Sequence, residues 1–115
     1  MKYVLLMYAN ESEAPKLTAE EFKAVNLAWQ AFSNEAAAAG VLLSNSGLSP
    51  VAAATTVRVR NNKTLTTDGP FAETHEQLAG YFLFECKDLD EAIGWAAKIP
   101  MAQYGSIEVR PVWPG

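Results

Sequence analysis

Asp68, Glu73, His75 and Glu76 fall within nine consecutive residues, and together they offer the carboxylate and imidazole groups that proton transfer needs. A partly desolvated aspartate accepts protons, which makes Asp68 a candidate general base or ligand anchor. His75 titrates near neutral pH and is a candidate shuttle partner, with Glu73 as a further acid facing the ligand. Each has a plainer reading. Asp68-Gly69-Pro70 is also ordinary turn chemistry, because Asp bonds its own following backbone, Gly relaxes φ and Pro fixes it. If residues 73–76 form a helical turn, their side chains point apart. Phe71 is either a ligand-facing lid or a plug in an interface, and the tendency of large aromatics to bury favours the interface.

Tyr8, Tyr81, Arg58 and Arg110 can supply polar groups to a pocket for an organic acid, since a guanidinium grips a carboxylate through two parallel hydrogen bonds. Arg58 and Arg60 also read as the wet face of a hairpin, and Arg110 as the partner of a nearby acid. A metal centre needs converging ligands, but His75 and Cys86 are each the only residue of their type and Glu11 and Glu13 sit in an apparent loop. No intrinsic metal is expected. Haem would have only His75 as an imidazole ligand. No glycine-rich phosphate loop, Ser–His–Asp order or flavin fingerprint occurs, so no cofactor is expected either.

The 115 residues suit one domain spanning residues 1–115, and half of them are apolar. The net charge of −4 and the scattered basic residues argue against nucleic acid. A single cysteine excludes a disulfide framework within the chain and fits a reducing cytoplasm. Tyr3 to Tyr8 is too short an apolar run for a signal peptide or a membrane span, so the expectation is a soluble protein.

Elements that would position these residues follow from the pattern. Residues 2–8 are apolar at nearly every position, as in a strand covered on both faces. Thr18 and Glu21 form a capping box, and Phe22, Val25, Trp29, Phe32 and Ala36 make one apolar stripe of a helix over 19–39, stopped at Gly40. Val41–Leu43 starts a strand, and Ser44–Pro50 reads as loop. Residues 56–60 alternate as a half-buried strand, Asn61-Asn62 supplies the turn, and 63–67 returns toward Asp68. Tyr81–Phe84 is a second doubly apolar strand. Asp88 and Glu91 cap a helix over 89–98 that Pro100 ends, and Ile107, Val109 and Trp113 mark a last strand, which Pro111 places at an edge.

Two helices cover only one face of an open sheet, yet the strands at 2–8 and 81–84 are apolar on both. A second copy packed sheet to sheet would cover the other face. The rival is that Tyr3 or Tyr8 lines a ligand cleft, and the two are compatible.

The run Asp68-Gly-Pro-Phe-Ala-Glu-Thr-His-Glu-Gln-Leu-Ala-Gly-Tyr-Phe82 resembles the signature of DGPF proteins, a branch of the YCII-related superfamily. Met1-Lys-Tyr3, Thr56-Val-Arg-Val-Arg60 and Gly105-Ser-Ile-Glu-Val-Arg-Pro-Val112 extend the resemblance over nearly the whole chain. It implies a ferredoxin-like α+β fold, an antiparallel sheet with two helices on one face, that dimerises into an α+β barrel. It also implies small-molecule chemistry of the kind proposed for relatives with a His and Asp pair in a cleft. This chain departs from that pattern: its first helix has no histidine, and His75 stands where the family shows lysine.

The leading functional expectation is therefore a dimeric, cofactor-independent small-molecule enzyme of isomerase or lyase type, with Asp68 as base or anchor and His75 as partner. The alternative is a non-catalytic ligand-binding or regulatory module, for which the resemblance implies a link to extracytoplasmic-function sigma factors. A third is an interaction domain without a pocket.

Overall fold

The computed structural model describes residues 1–115. In chain order the strands and helices are β1 (Lys2–Ala9), α1 (Ala19–Ala38), β2 (Leu42–Gly47), β3 (Thr55–Arg60), β4 (Lys63–Asp68), β5 (Gln77–Glu85), α2 (Leu89–Lys98) and β6 (Ser106–Pro111). The main sheet is four-stranded in the order β2-β5-β1-β6, with every pair antiparallel, and β3 and β4 form a separate two-stranded sheet. Without that hairpin the order of elements is βαββαβ, the ferredoxin-like α+β arrangement.

Local signals set the helix ends. Thr18 Oγ1 accepts from Glu21 N at 3.1 Å, and the Glu21 carboxylate accepts from Thr18 N at 3.2 Å, completing the capping box. Gly40 takes φ +76° just beyond α1, where a Cβ would be strained. Asp88 Oδ1 accepts from Glu91 N at 2.9 Å to start α2, and Pro100 begins a short 3-10 turn after its end.

Alternation along the central strands selects the core. Tyr3, Leu5 and Met7 of β1 and Phe82 and Phe84 of β5 are buried, and they pack against Phe32 and Ala36 of α1 and Ala92 and Ala96 of α2. The rings form a continuous cluster: Phe32 meets Phe82 edge-on with centroids 5.1 Å apart, and Phe84 meets Trp95 likewise at 5.8 Å. Edge-to-face rings gain about 0.5–1.5 kcal/mol per pair beyond their area. Val4, Leu6, Tyr81 and Leu83 lie on the opposite face and are half-buried, with no helix over them. This face is the one that the doubly apolar strands marked in the sequence.

Four expectations need correction. Residues 44–47 are strand and not loop, because they pair with β5 through a bulge between Leu42 and Ser44 that the local Ser/Asn/Gly composition does not reveal. β5 begins at Gln77, four residues before the apolar run. The stripe on α1 is only half used: Phe32 and Ala36 are buried, whereas Phe22 is 58% exposed and Val25 is also exposed. A helix of 20 residues is about 30 Å long, and its N-terminal half overhangs the core. In β3 the alternation runs opposite to expectation, with Val57 and Val59 each 59% exposed while Thr56 and Arg58 are half-buried.

Candidate functional site

A cleft with both aromatic and polar walls lies on the helix side of the sheet, between the middle of α1 and the β2–β5 edge, with a volume of about 480 Å³. Trp29 from α1 and Phe82 from β5 line it, their rings stacked with centroids 6.4 Å apart and planes 12° from parallel. The polar rim is Gln30, Ser33 and Asn34 of α1 facing Asn45 and Ser46 of β2. α1 places Gln30, Ser33 and Asn34 on one edge of its apolar stripe because they recur at three- and four-residue steps. β2 delivers Asn45 because the bulge after Leu42 shifts its register against β5, setting Asn45 opposite Phe82.

The chemistry of this cleft is neutral. None of its lining residues carries a carboxylate, imidazole, ammonium or guanidinium, and Tyr81 borders it through β5 with its phenol on the opposite, open face of the sheet. That hydroxyl lies 3.1 Å from Ser44 Oγ. Amides and hydroxyls both donate and accept hydrogen bonds without the desolvation cost of an ion, and the stacked rings offer an apolar wall. Gly80 lets β5 approach two lining residues closely: a Cβ there would come within 2.6 Å of the Ser46 carbonyl oxygen and 2.9 Å of Met7 Cε.

Of the candidate catalytic and ligand-binding residues, Tyr81 alone borders this cleft, and only along its strand, since its side chain faces the other side of the sheet. Tyr8 sits just past a bulge in β1, half-buried and opposite Leu78 and Ser106. Tyr3 is buried in the core. Asp68 is exposed at the end of β4, opposite Thr55. The turn after it is held by Gly69 at φ +97°, by Gly69 N donating to Ala54 O at 2.7 Å, and by Thr56 Oγ1 donating to Gly69 O at 2.8 Å. Arg58 donates to the Phe71 carbonyl at 3.4 Å, and the Phe71 ring is 76% exposed. Glu73 and His75 are exposed. His75 borders a separate shallow hollow with Asn10, Glu11 and Thr74, so the structure does not join it to Asp68. Arg110 forms an exposed ion pair with Glu108 on β6.

No three His, Cys, Asp or Glu side chains converge anywhere in the chain. Cys86 is buried, and burial followed by the charge of Glu91 and a hydrogen bond to it pushes its thiol pKa up, away from the reactive thiolate.

The polar rim escaped the sequence reading for two reasons. Gln30, Ser33 and Asn34 look like a solvated helix face, and Asn45 and Ser46 look like a loop. The available signal was an uncharged polar stripe running beside Trp29 in an otherwise charge-dotted helix.

A ferredoxin-like α+β domain with a helix-side cleft is the class these features define. The chain belongs to the YCII-related family, matching the YCII-related domain across residues 1–115. It is 40% identical over 114 residues to an uncharacterised protein of Rhizobium meliloti (strain 1021), an alignment that covers 97% of this chain and 92% of that protein. No helix is long and apolar enough to cross a membrane.

Proposed function

We propose that the chain binds a small uncharged organic molecule in the cleft between α1 and the β2–β5 edge, acting as a binding module and not as a proton-transfer catalyst. The observation that carries this reading is the lining: aromatic walls at Trp29 and Phe82 and a rim of amides and hydroxyls, with no acid or base placed to move a proton. Its volume of about 480 Å³ lies in the range of small-molecule sites. A charged ligand would lose its hydration there without gaining a counter-ion. Asp68, the base expected from the sequence, stands outside this lining.

The working form is a homodimer packed through the open sheet face. Supporting this, Val4, Leu6 and Leu83 are apolar, only half-buried and uncovered by any helix. Burying such surface is worth about 25 cal/mol per Å².

Benzamide, benzoate and benzylamine share one ring and differ chiefly in charge, so titrating each while following chemical shifts of the Trp29 and Asn34 side chains tests the reading directly. Benzamide should bind at least tenfold more tightly than either ion. Equal or tighter binding of benzoate would overturn it, as would turnover of any ligand abolished by Asp68→Asn in a folded protein.

A further inference from the structure

The β3–β4 hairpin is an unfinished element. None of residues 55–68 is buried, and Val57 and Val59 are each 59% exposed on one face. Isolated two-stranded hairpins are marginal in water. The bonds at its base, to Ala54, Gly69 and Phe71, all belong to its own stem. The chain as a whole carries the same mark. Its radius of gyration is 16.3 Å, against about 13 Å for a compact chain of this length. Its accessible surface is 8129 Å², against about 6,200 Å² for a folded monomer of this mass. The excess, about 2,000 Å² per chain, is more than twice the roughly 800 Å² that each partner buries in a standard interface.

A second apolar surface is left uncovered on α1. Phe22 and Val25 are exposed on the overhanging half of α1, and their stripe continues to Trp29 in the wall of the cleft. Val57 and Val59 stand about 7 Å apart along an extended strand; Phe22 and Val25 are about 4.5 Å apart along the helix axis. Charges run in the same order. Arg60 and Lys63 flank the Asn61–Asn62 turn at the tip, and residues 55–67 carry three basic side chains and no acid, a net of +3. Residues 10–21, which lead into α1, carry four glutamates against Lys16, a net of −3.

We propose that the hairpin of one copy lies along the overhanging half of α1 in a second copy. Val59 covers Phe22, Val57 covers Val25, and the long stems of Arg60 and Lys63 carry their charges to Glu20 and Glu13. Arg58 points from the other face and stays with the stem. In this arrangement the segment Asp68–Phe71 of the partner subunit falls beside Trp29, one turn beyond Val25, and Phe71 of the partner subunit closes the mouth of the cleft. The signature segment thus acts across the dimer, on the other copy's site. This proposal rests on the dimeric reading above and assigns the partner a part in the cleft.

The test uses the full chain carrying Val59→Cys, labelled at that exposed thiol with benzophenone maleimide while buried Cys86 stays unmodified. Mixed with an isotope-labelled wild-type copy and irradiated, it should place the adduct on residues 17–29 of the labelled copy. Sedimentation should also show the dimer of Val57→Ser/Val59→Ser weakened at least tenfold, and Phe71→Ala should weaken benzamide binding at least threefold without weakening the dimer comparably. A dimer whose adduct falls on its own chain or on another segment overturns the clasp but leaves the sheet-face dimer standing. A monomer overturns both, and capture of a DNA duplex by that monomer would assign the basic tip to an anionic polymer instead.

Discussion

Trp29 of α1 and Phe82 of β5 stack with ring centroids 6.4 Å apart and planes 12° from parallel, joining the core to the wall of the neutral cleft. Phe82 is buried while Trp29 is half-buried, so Trp29 can report on whatever enters. Benzamide should change the Trp29 fluorescence, with Trp95 and Trp113 giving a constant background. Trp29→Phe should remove that change and keep binding within about fivefold, a loss of roughly 1 kcal/mol.

Introducing a charge into the rim probes its neutrality. Asn34→Asp should lower affinity for benzamide about tenfold, roughly 1.4 kcal/mol. Asn34 is exposed at its outer edge. The urea midpoint should therefore correspond to a stability change within about 0.5 kcal/mol. A benzamide affinity unaltered by the substitution would remove Asn34 from the site.

Gly80 lies where β5 approaches β2 closely, with the Ser46 carbonyl oxygen 2.6 Å from where a Cβ would stand. Because that neighbour is backbone, Gly80→Ala must displace β2 from β5. The expected cost is about 1–3 kcal/mol in urea unfolding, together with weaker benzamide binding. An equally stable Gly80→Ala protein would contradict the pairing at this edge.

Two substitutions separate core packing from local capping. Phe84 is fully buried, and Phe84→Ala should cost about 3–5 kcal/mol. Thr18→Ala removes one arm of an exposed capping box and should cost about 1 kcal/mol. Denaturant unfolding of both proteins checks the ranking, which depends on α1 being held mainly by Phe32 and Ala36 at its C-terminal half.

The thiol of Cys86 keeps its proton to higher pH in the folded chain than in the unfolded one, mainly because it is buried. Between those two pKa values the unfolded state binds fewer protons, so stability falls as pH rises. The contribution is full below the ordinary thiol pKa of about 8.5 and is lost as pH climbs through the folded value. Urea midpoints at pH 7 and above pH 9 should therefore diverge more for the wild type than for Cys86→Ala. Cys86 should also resist thiol reagents until the chain unfolds.

Much of the fold was legible because its signals are local. Thr18 with Glu21, Asp88 with Glu91, Gly40 and the Asn61-Asn62 turn each act within a few residues of themselves, and each stands where its spacing places it. The apolar runs at 2–8 and 81–84 likewise announced central strands. The candidate site was far less legible. Asp68 and His75 attracted notice by residue type, but the cleft is built from Gln30, Asn34 and Asn45, whose side chains carry no distinctive chemistry until α1 and β2 bring them together.

The sequence by itself determined the helix boundaries, the hairpin turn and the two-faced central strands, because capping, backbone conformation and hydrophobic alternation are properties of short segments. Tertiary structure decided the rest. β2 extends through Ser44–Gly47 only because β5 offers an edge to pair with, Phe22 and Val25 stay exposed because α1 outruns the core, and Trp29 becomes a cleft wall because Phe82 lies beneath it. Those outcomes depend on which distant surfaces meet, and a local pattern of residues carries no record of that.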